Sequence, residues 1–154
     1  MIRRAEEKDI DDILRLLIQV NMVHHNARPD LFNGPRTKYK DYELKEIIKD
    51  PKRPIFVYDE GMVLGYAFCV NVQHINDNIL TDVKTLYIDD LCVDENARGK
   101  GIGHKLYDFV LAYAKQNDYY NVTLNVWEGN LNAMAFYKSL GLKVQKIGME
   151  KILK

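Results

Sequence analysis

A chain of 154 residues, 47% of them apolar, has enough material for one packed core, and residues 1–154 read as one domain. Lysine plus arginine balances aspartate plus glutamate at 22 each, whereas a general nucleic-acid or anionic-membrane binder would carry a basic excess. Cys69 and Cys92 lie inside apolar runs without CxxC spacing, and with no signal peptide or long apolar span the expectation is a reduced, cytoplasmic protein.

In chain order, Met1–Arg4 reads as a short strand and a helix follows from near Asp9, because Ile10, Ile13, Leu14 and Leu17 recur at helical spacing. Asp9 suits its N-cap, and Asp11 and Asp12 favour the positive end of the helix dipole. The pattern breaks from His24 to Lys40, where Pro29, Gly34 and Pro35 mark a loop. A shorter helix spans Tyr42 to Asp50 and is stopped by Pro51. Two strand-like runs, 55–58 and 63–70, flank Asp59-Glu60-Gly61 as a hairpin. The next strand ends at Val93, and a glycine-rich loop leads into a helix whose stripe is Ile102, Leu106, Phe109, Val110 and Tyr113. Val122–Val126 is a strand, Asn130–Ser139 a helix stopped by Gly141, and Leu142–Leu153 supplies one or two closing strands. The order implies a mixed α/β domain with helices on the faces of a central sheet.

The loop itself is Ala97-Arg98-Gly99-Lys100-Gly101-Ile102-Gly103-His104. Glycines at alternate positions let the backbone approach a ligand closely, and free amides at a helix start, with Arg98 and Lys100 beside them, make an anion cradle. A Walker A site needs longer glycine spacing ending in Lys-Ser or Lys-Thr, and a dinucleotide fingerprint needs glycine where His104 stands. A plain tight turn with two solvated cations is the bland alternative.

The spacing Arg98-x-x-Gly101-x-Gly103 resembles the coenzyme A pyrophosphate loop of the GNAT superfamily of N-acetyltransferases. The segment Asn130-Leu131-Asn132-Ala133-Met134-Ala135-Phe136-Tyr137-Lys138-Ser139-Leu140-Gly141-Leu142 is similar to that family's N-x-x-A-x-x-F-Y-x-x-x-G-F pattern, with Leu142 where phenylalanine is commoner. The resemblance implies the acyl-CoA N-acyltransferase fold: a mostly antiparallel sheet of six or seven strands, splayed at the cofactor site and flanked by about four helices. It implies acetyl-CoA as donor. Backbone groups of Leu91, Cys92 and Val93 would meet the pantetheine, and the amides of Arg98, Gly99, Lys100, Gly101, Ile102, Gly103 and His104 the pyrophosphate. Asn130 would cap its helix and reach the cofactor.

Attack on a thioester needs a neutral amine, whereas a free alkylammonium has a pKa of about 10.4, so a base or a water relay is required. Asp89 is the candidate, at the strand position where polyamine-type relatives carry glutamate. Asp90 points the other way on an ideal strand, unless a bulge at the splay exchanges the two. The pair could equally bind a cationic acceptor without moving protons. A backbone amide near Leu91 suits the oxyanion, and Tyr137 matches the family tyrosine that protonates the departing thiolate. Cys92 has no histidine partner in sequence that would make it a covalent nucleophile.

The first half carries no such motif. His24, His25, Arg28, Asp30 and Phe32 cluster in the loop that borders the acceptor site in this family, and no metal-ligand spacing appears. The leading expectation is N-acetylation of a primary amine, small or protein-borne. A non-catalytic acyl-CoA-binding or protein-interaction module on the same fold is the alternative. A homodimer is expected at family level, with the closing strands from Leu142 onward as its place.

Overall fold

The computed structural model describes residues 1–154. Five strands form one sheet in chain order: β1 (Ile2–Arg4), β2 (Ile55–Asp59), β3 (Val63–Val72), β4 (Thr85–Val93) and β5 (Asn121–Leu124). The first four are antiparallel neighbours, and β5 joins β4 in parallel through the crossover helix α3 (Ile102–Gln116). The other helices are α1 (Ile10–Ala27), α2 (Asp41–Lys49) and α4 (Leu131–Ser139).

Strand alternation divides the core between two faces. Val57, Tyr66 and Phe68 pack under α1 and α2 with Leu16, Leu44 and Ile47. Their neighbours Phe56, Ala67 and Cys69 turn to the opposite face and meet Val110 and Ala114 of α3. The cysteines are free and buried, one in each layer. No helix is long and apolar enough to cross a membrane.

Three expectations change. Helix α1 runs on to Ala27, past the expected break at His24, and closes with the Arg28 amide donating to the His24 carbonyl at 2.8 Å. Asp9 does not cap α1 with its side chain; it accepts the Glu6 amide at 2.8 Å and pairs with Arg3 at 2.8 Å, tying the chain entry to β1. The sheet has five strands rather than six or seven, because residues 143–154 form no strand. Their alternation suits a strand, but a strand exists only through a ladder partner, and this sheet gives them none.

Candidate active site

Strands β4 and β5 pair from Thr85↔Asn121 to Ile88↔Leu124 and then part. Beyond Ile88, β4 continues to Val93 hydrogen-bonded to β3 alone, through Leu91↔Ala67, Cys92↔Tyr66 and Val93↔Gly65. The edge of Leu91, Cys92 and Val93 that faces away from β3 therefore has no strand partner.

The turn after β4 is pinned from α1. Buried Asp94 takes a charge-assisted bond from Arg15, accepts the Asn96 amide at 3.1 Å and meets Gln19 at 3.4 Å. Gln19 also accepts the Glu95 amide at 3.0 Å. The glycine loop follows, with Gly99 at φ +83° and Gly101 at φ +76°, left-handed values that other residues adopt only under strain. The first backbone bond of α3 runs from Lys105 to Gly101 at 3.0 Å, so the amides from Gly99 to His104 donate to no backbone carbonyl. Arg98 and Lys100 are exposed and have no carboxylate partner. At Gly103 a Cβ would make ordinary contact with Phe136 at 3.4 Å and Val93 at 3.5 Å, so the start of α3 lies close to α4 without requiring glycine there. The His104 ring turns away to Asp108, 3.0 Å along the helix, so the loop has the use of its amide. Asn130 caps α4, accepting the Ala133 amide at 3.1 Å.

A bulge decides where the two aspartates go. Phe68 pairs with Asp90 and Cys69 with Ile88, leaving Asp89 as the extra residue. Ile88 therefore stays on the α3 side, while Asp90 and Cys92 turn to the α1 side with Tyr66. Both aspartates face the α1–α2 layer, in place of the opposed pair of an ideal strand. Asp89 is fully engaged: both its oxygens accept Lys38 Nζ at 2.9 Å, and Oδ2 accepts the Tyr39 hydroxyl at 2.9 Å. Asp90 accepts the Tyr66 hydroxyl at 2.7 Å on Oδ2, and no side chain donates to its Oδ1. Burial pushes the Asp90 carboxyl up to about 6 and nearby Asp89 adds to this, while the Tyr66 bond and Lys38 pull the other way.

Tyr137 sits half-buried on α4 with its ring 6.5 Å from Tyr107, and its hydroxyl makes no hydrogen bond within the protein. Burial and the Asp90 charge raise its pKa, so it stays a phenol. Cys92 is buried, its thiol pushed up to about 12 by burial and by Asp90, with the sulfur 3.8 Å from the Leu16 carbonyl. That is the environment of an inert thiol.

On the acceptor side, His25 Nδ1 lies 2.6 Å from the Phe32 carbonyl and serves to shape the loop. The Phe32 ring packs between His24, 5.0 Å away, and Trp127, 5.5 Å away, joining the α1–α2 loop to the segment after β5. Arg28 and Asp30 pair with each other at the surface. Lys38, Tyr39, Tyr66 and Trp127 gave no signal in the sequence. Lys38 and Asp89 are 51 positions apart, and Tyr66 reads from alternation as a plain core residue.

The profile described as the acetyltransferase (GNAT) family matches residues 20–142. An uncharacterized N-acetyltransferase of Methanocaldococcus jannaschii is 26% identical over 95% of this chain, which spans only 62% of that relative's length. The thialysine N-epsilon-acetyltransferase of Bos taurus is 28% identical over 92% of this chain and 82% of its own. The crystal structure of a mutant BH1408 protein from Bacillus halodurans is 33% identical and overlays with a TM-score of 0.94, covering 100% of this chain and 99% of its own. With four fifths of its length matched, this chain belongs to the acetyltransferase (GNAT) family.

Proposed function

We propose that this chain transfers an acetyl group from acetyl-CoA to a primary amine by direct attack in a ternary complex. The observation that carries the reading is the run of unpaired amides from Gly99 to His104, set where β4 ends beside its open edge. That cradle, with the free charges of Arg98 and Lys100, suits a pyrophosphate, and the edge of Leu91, Cys92 and Val93 suits the pantetheine amides. Asn130 stands at the start of α4 to reach the same molecule. Bound there, acetyl-CoA supplies a thioester open to a neutral amine.

The residues divide the remaining work. Asp90 Oδ1 takes the ammonium proton, with Oδ2 held by Tyr66 so that the carboxylate keeps one orientation. Asp89 is an anchor for cations, since Lys38 Nζ already occupies both its oxygens and an acceptor ammonium can compete for them. Tyr137 Oη, uncommitted and protonated, gives its proton to the departing sulfur. The relative named for thialysine Nε supports a lysine-like side-chain amine as acceptor. His24, Phe32 and Trp127 form the apolar wall beside it. The two unbridged thiols suit a reducing, cytoplasmic setting, and the working form is a homodimer.

Thiol release from acetyl-CoA across lysine, thialysine, a lysyl peptide and a polyamine tests this. The wild type turns over at least one amine, and Tyr137→Phe and Asp90→Asn lower kcat by about 10²–10⁴ while coenzyme A affinity stays level. A wild type that binds acetyl-CoA in calorimetry and acetylates none of them is a binding module, and the enzyme reading fails.

A further inference from the structure

The α1–α2 loop places a cation of this chain's own in the layer that the two aspartates face. Lys38 Nζ donates to both oxygens of Asp89 at 2.9 Å, as a substrate ammonium would. Its neighbour Tyr39 fixes the loop there. The Tyr39 ring stacks on Phe68 at 5.6 Å, its hydroxyl donates to Asp89 at 2.9 Å, and the Arg53 guanidinium lies 5.7 Å over its face. The Asp89 side chain is 16% exposed and the Lys38 side chain 49%, so the lysine stands on the solvent side of the carboxylate.

Burial works against the Lys38 ammonium, yet the bond to Asp89 prevails and its pKa is raised, so the cation stays charged. Burial first, and then the Lys38 charge, lower the pKa of His24, and that ring is neutral at pH 7. Asp89 is thus neutralised, and Asp90, with no side chain donating to Oδ1, is the carboxylate with room for an ammonium. A second ammonium would have to displace Lys38. A tethered group competes at an effective concentration on the order of millimolar, and the stacking of Tyr39 preorganises it further. A free amine below that concentration loses the competition.

Resting on the acetyl-transfer reading, we infer that Lys38 is a resident counter-ion that sets acceptor specificity: it fills the cation seat of Asp89, admitting amines with one ammonium and leaving no seat for a second. The side-chain amine of a lysyl residue is of the first kind, and a short alkyl diamine is of the second. Without the lysine, Asp89 is left partly buried with only the Tyr39 hydroxyl, and such a carboxylate takes a cation from solution. Lys38→Met therefore turns the two aspartates into a two-cation site.

Calorimetry with coenzyme A present, using diaminobutane and butylamine as probes, tests this. The wild type binds the two about equally. Lys38→Met binds diaminobutane about tenfold more tightly than the wild type does, with butylamine little changed. Lys38→Gln does the same should methionine disturb the loop. The gain disappears when Asp89→Asn is added, and Lys38→Arg keeps the wild-type pattern. Acetylation at about pH 8, above the Asp90 limb, gives the same answer as a ratio: kcat/KM for diaminobutane over butylamine rises about tenfold in Lys38→Met, through KM. A wild type that already prefers the diamine, a diamine affinity unmoved by loss of the lysine, or a gain that survives Asp89→Asn overturns the inference. A wild type that acetylates no amine defeats the transfer reading alone, because the binding comparison needs no turnover.

Discussion

Replacing Asp90 by asparagine separates a proton acceptor from a structural carboxyl. Burial pushes the carboxyl up to about 6, well above the ordinary carboxylate range. As a base it works ionised, so kcat/KM of the wild type rises with unit slope to a plateau above pH 6 and is about tenfold down at pH 5. Asp90→Asn keeps an acceptor for Tyr66, removes this limb and lowers the plateau by about 10²–10⁴. Neighbours move the limb with known sign. Lys38→Met removes a cation that lowers the Asp90 pKa and shifts the limb up, whereas Asp89→Asn removes a like charge and shifts it down. Stability follows the same titration. A carboxyl raised by folding contributes fully below about 3.8, and the contribution is lost as pH rises through about 6, costing the wild type about 3 kcal/mol by pH 7. Asp90→Asn has no charge to bury, so it gains on the wild type between pH 4 and 7 in urea titrations. A pH 6 limb that persists at full height in Asp90→Asn would refute the assignment.

Gly101→Val forces a β-branched residue to φ +76°, costs about 1–2 kcal/mol of stability and weakens coenzyme A binding at least tenfold in calorimetry; unchanged affinity would remove the phosphate-loop assignment. Asp94→Asn takes the charge from the Arg15 pair that pins the turn before the loop. Urea titration should show a loss of about 1–3 kcal/mol, and KM for acetyl-CoA should rise more than kcat falls. Equal stability and an unchanged KM would show that the turn holds itself.

The local geometry of the proposed donor site is legible in the sequence because backbone demands leave a mark in residue type. Gly99 and Gly101 occupy left-handed positions and Asn130 caps α4, so local chemistry and sequence agree there. The acid–base half was only half legible. Two adjacent aspartates in an apolar strand are conspicuous in the sequence, but the one that lies beside Tyr66 is set by a bulge against Phe68 and Cys69, a cross-strand event with no local signature. The Lys38–Asp89 pair likewise depends on how the α1–α2 loop returns over β4. Leu142–Leu153 reads as strand because alternation reports the ability to pair, while pairing itself depends on an edge being within reach.

Mass spectrometry of both protein and amine, after wild type is mixed with acetyl-CoA and then with the best acceptor from the panel, tests acetyl transfer most directly. Direct attack predicts acetyl on the amine nitrogen in step with thiol release, and an unmodified protein, Cys92 included, before the amine is added. Acetyl found on the protein, or thiol released with no acetylated amine, would contradict it.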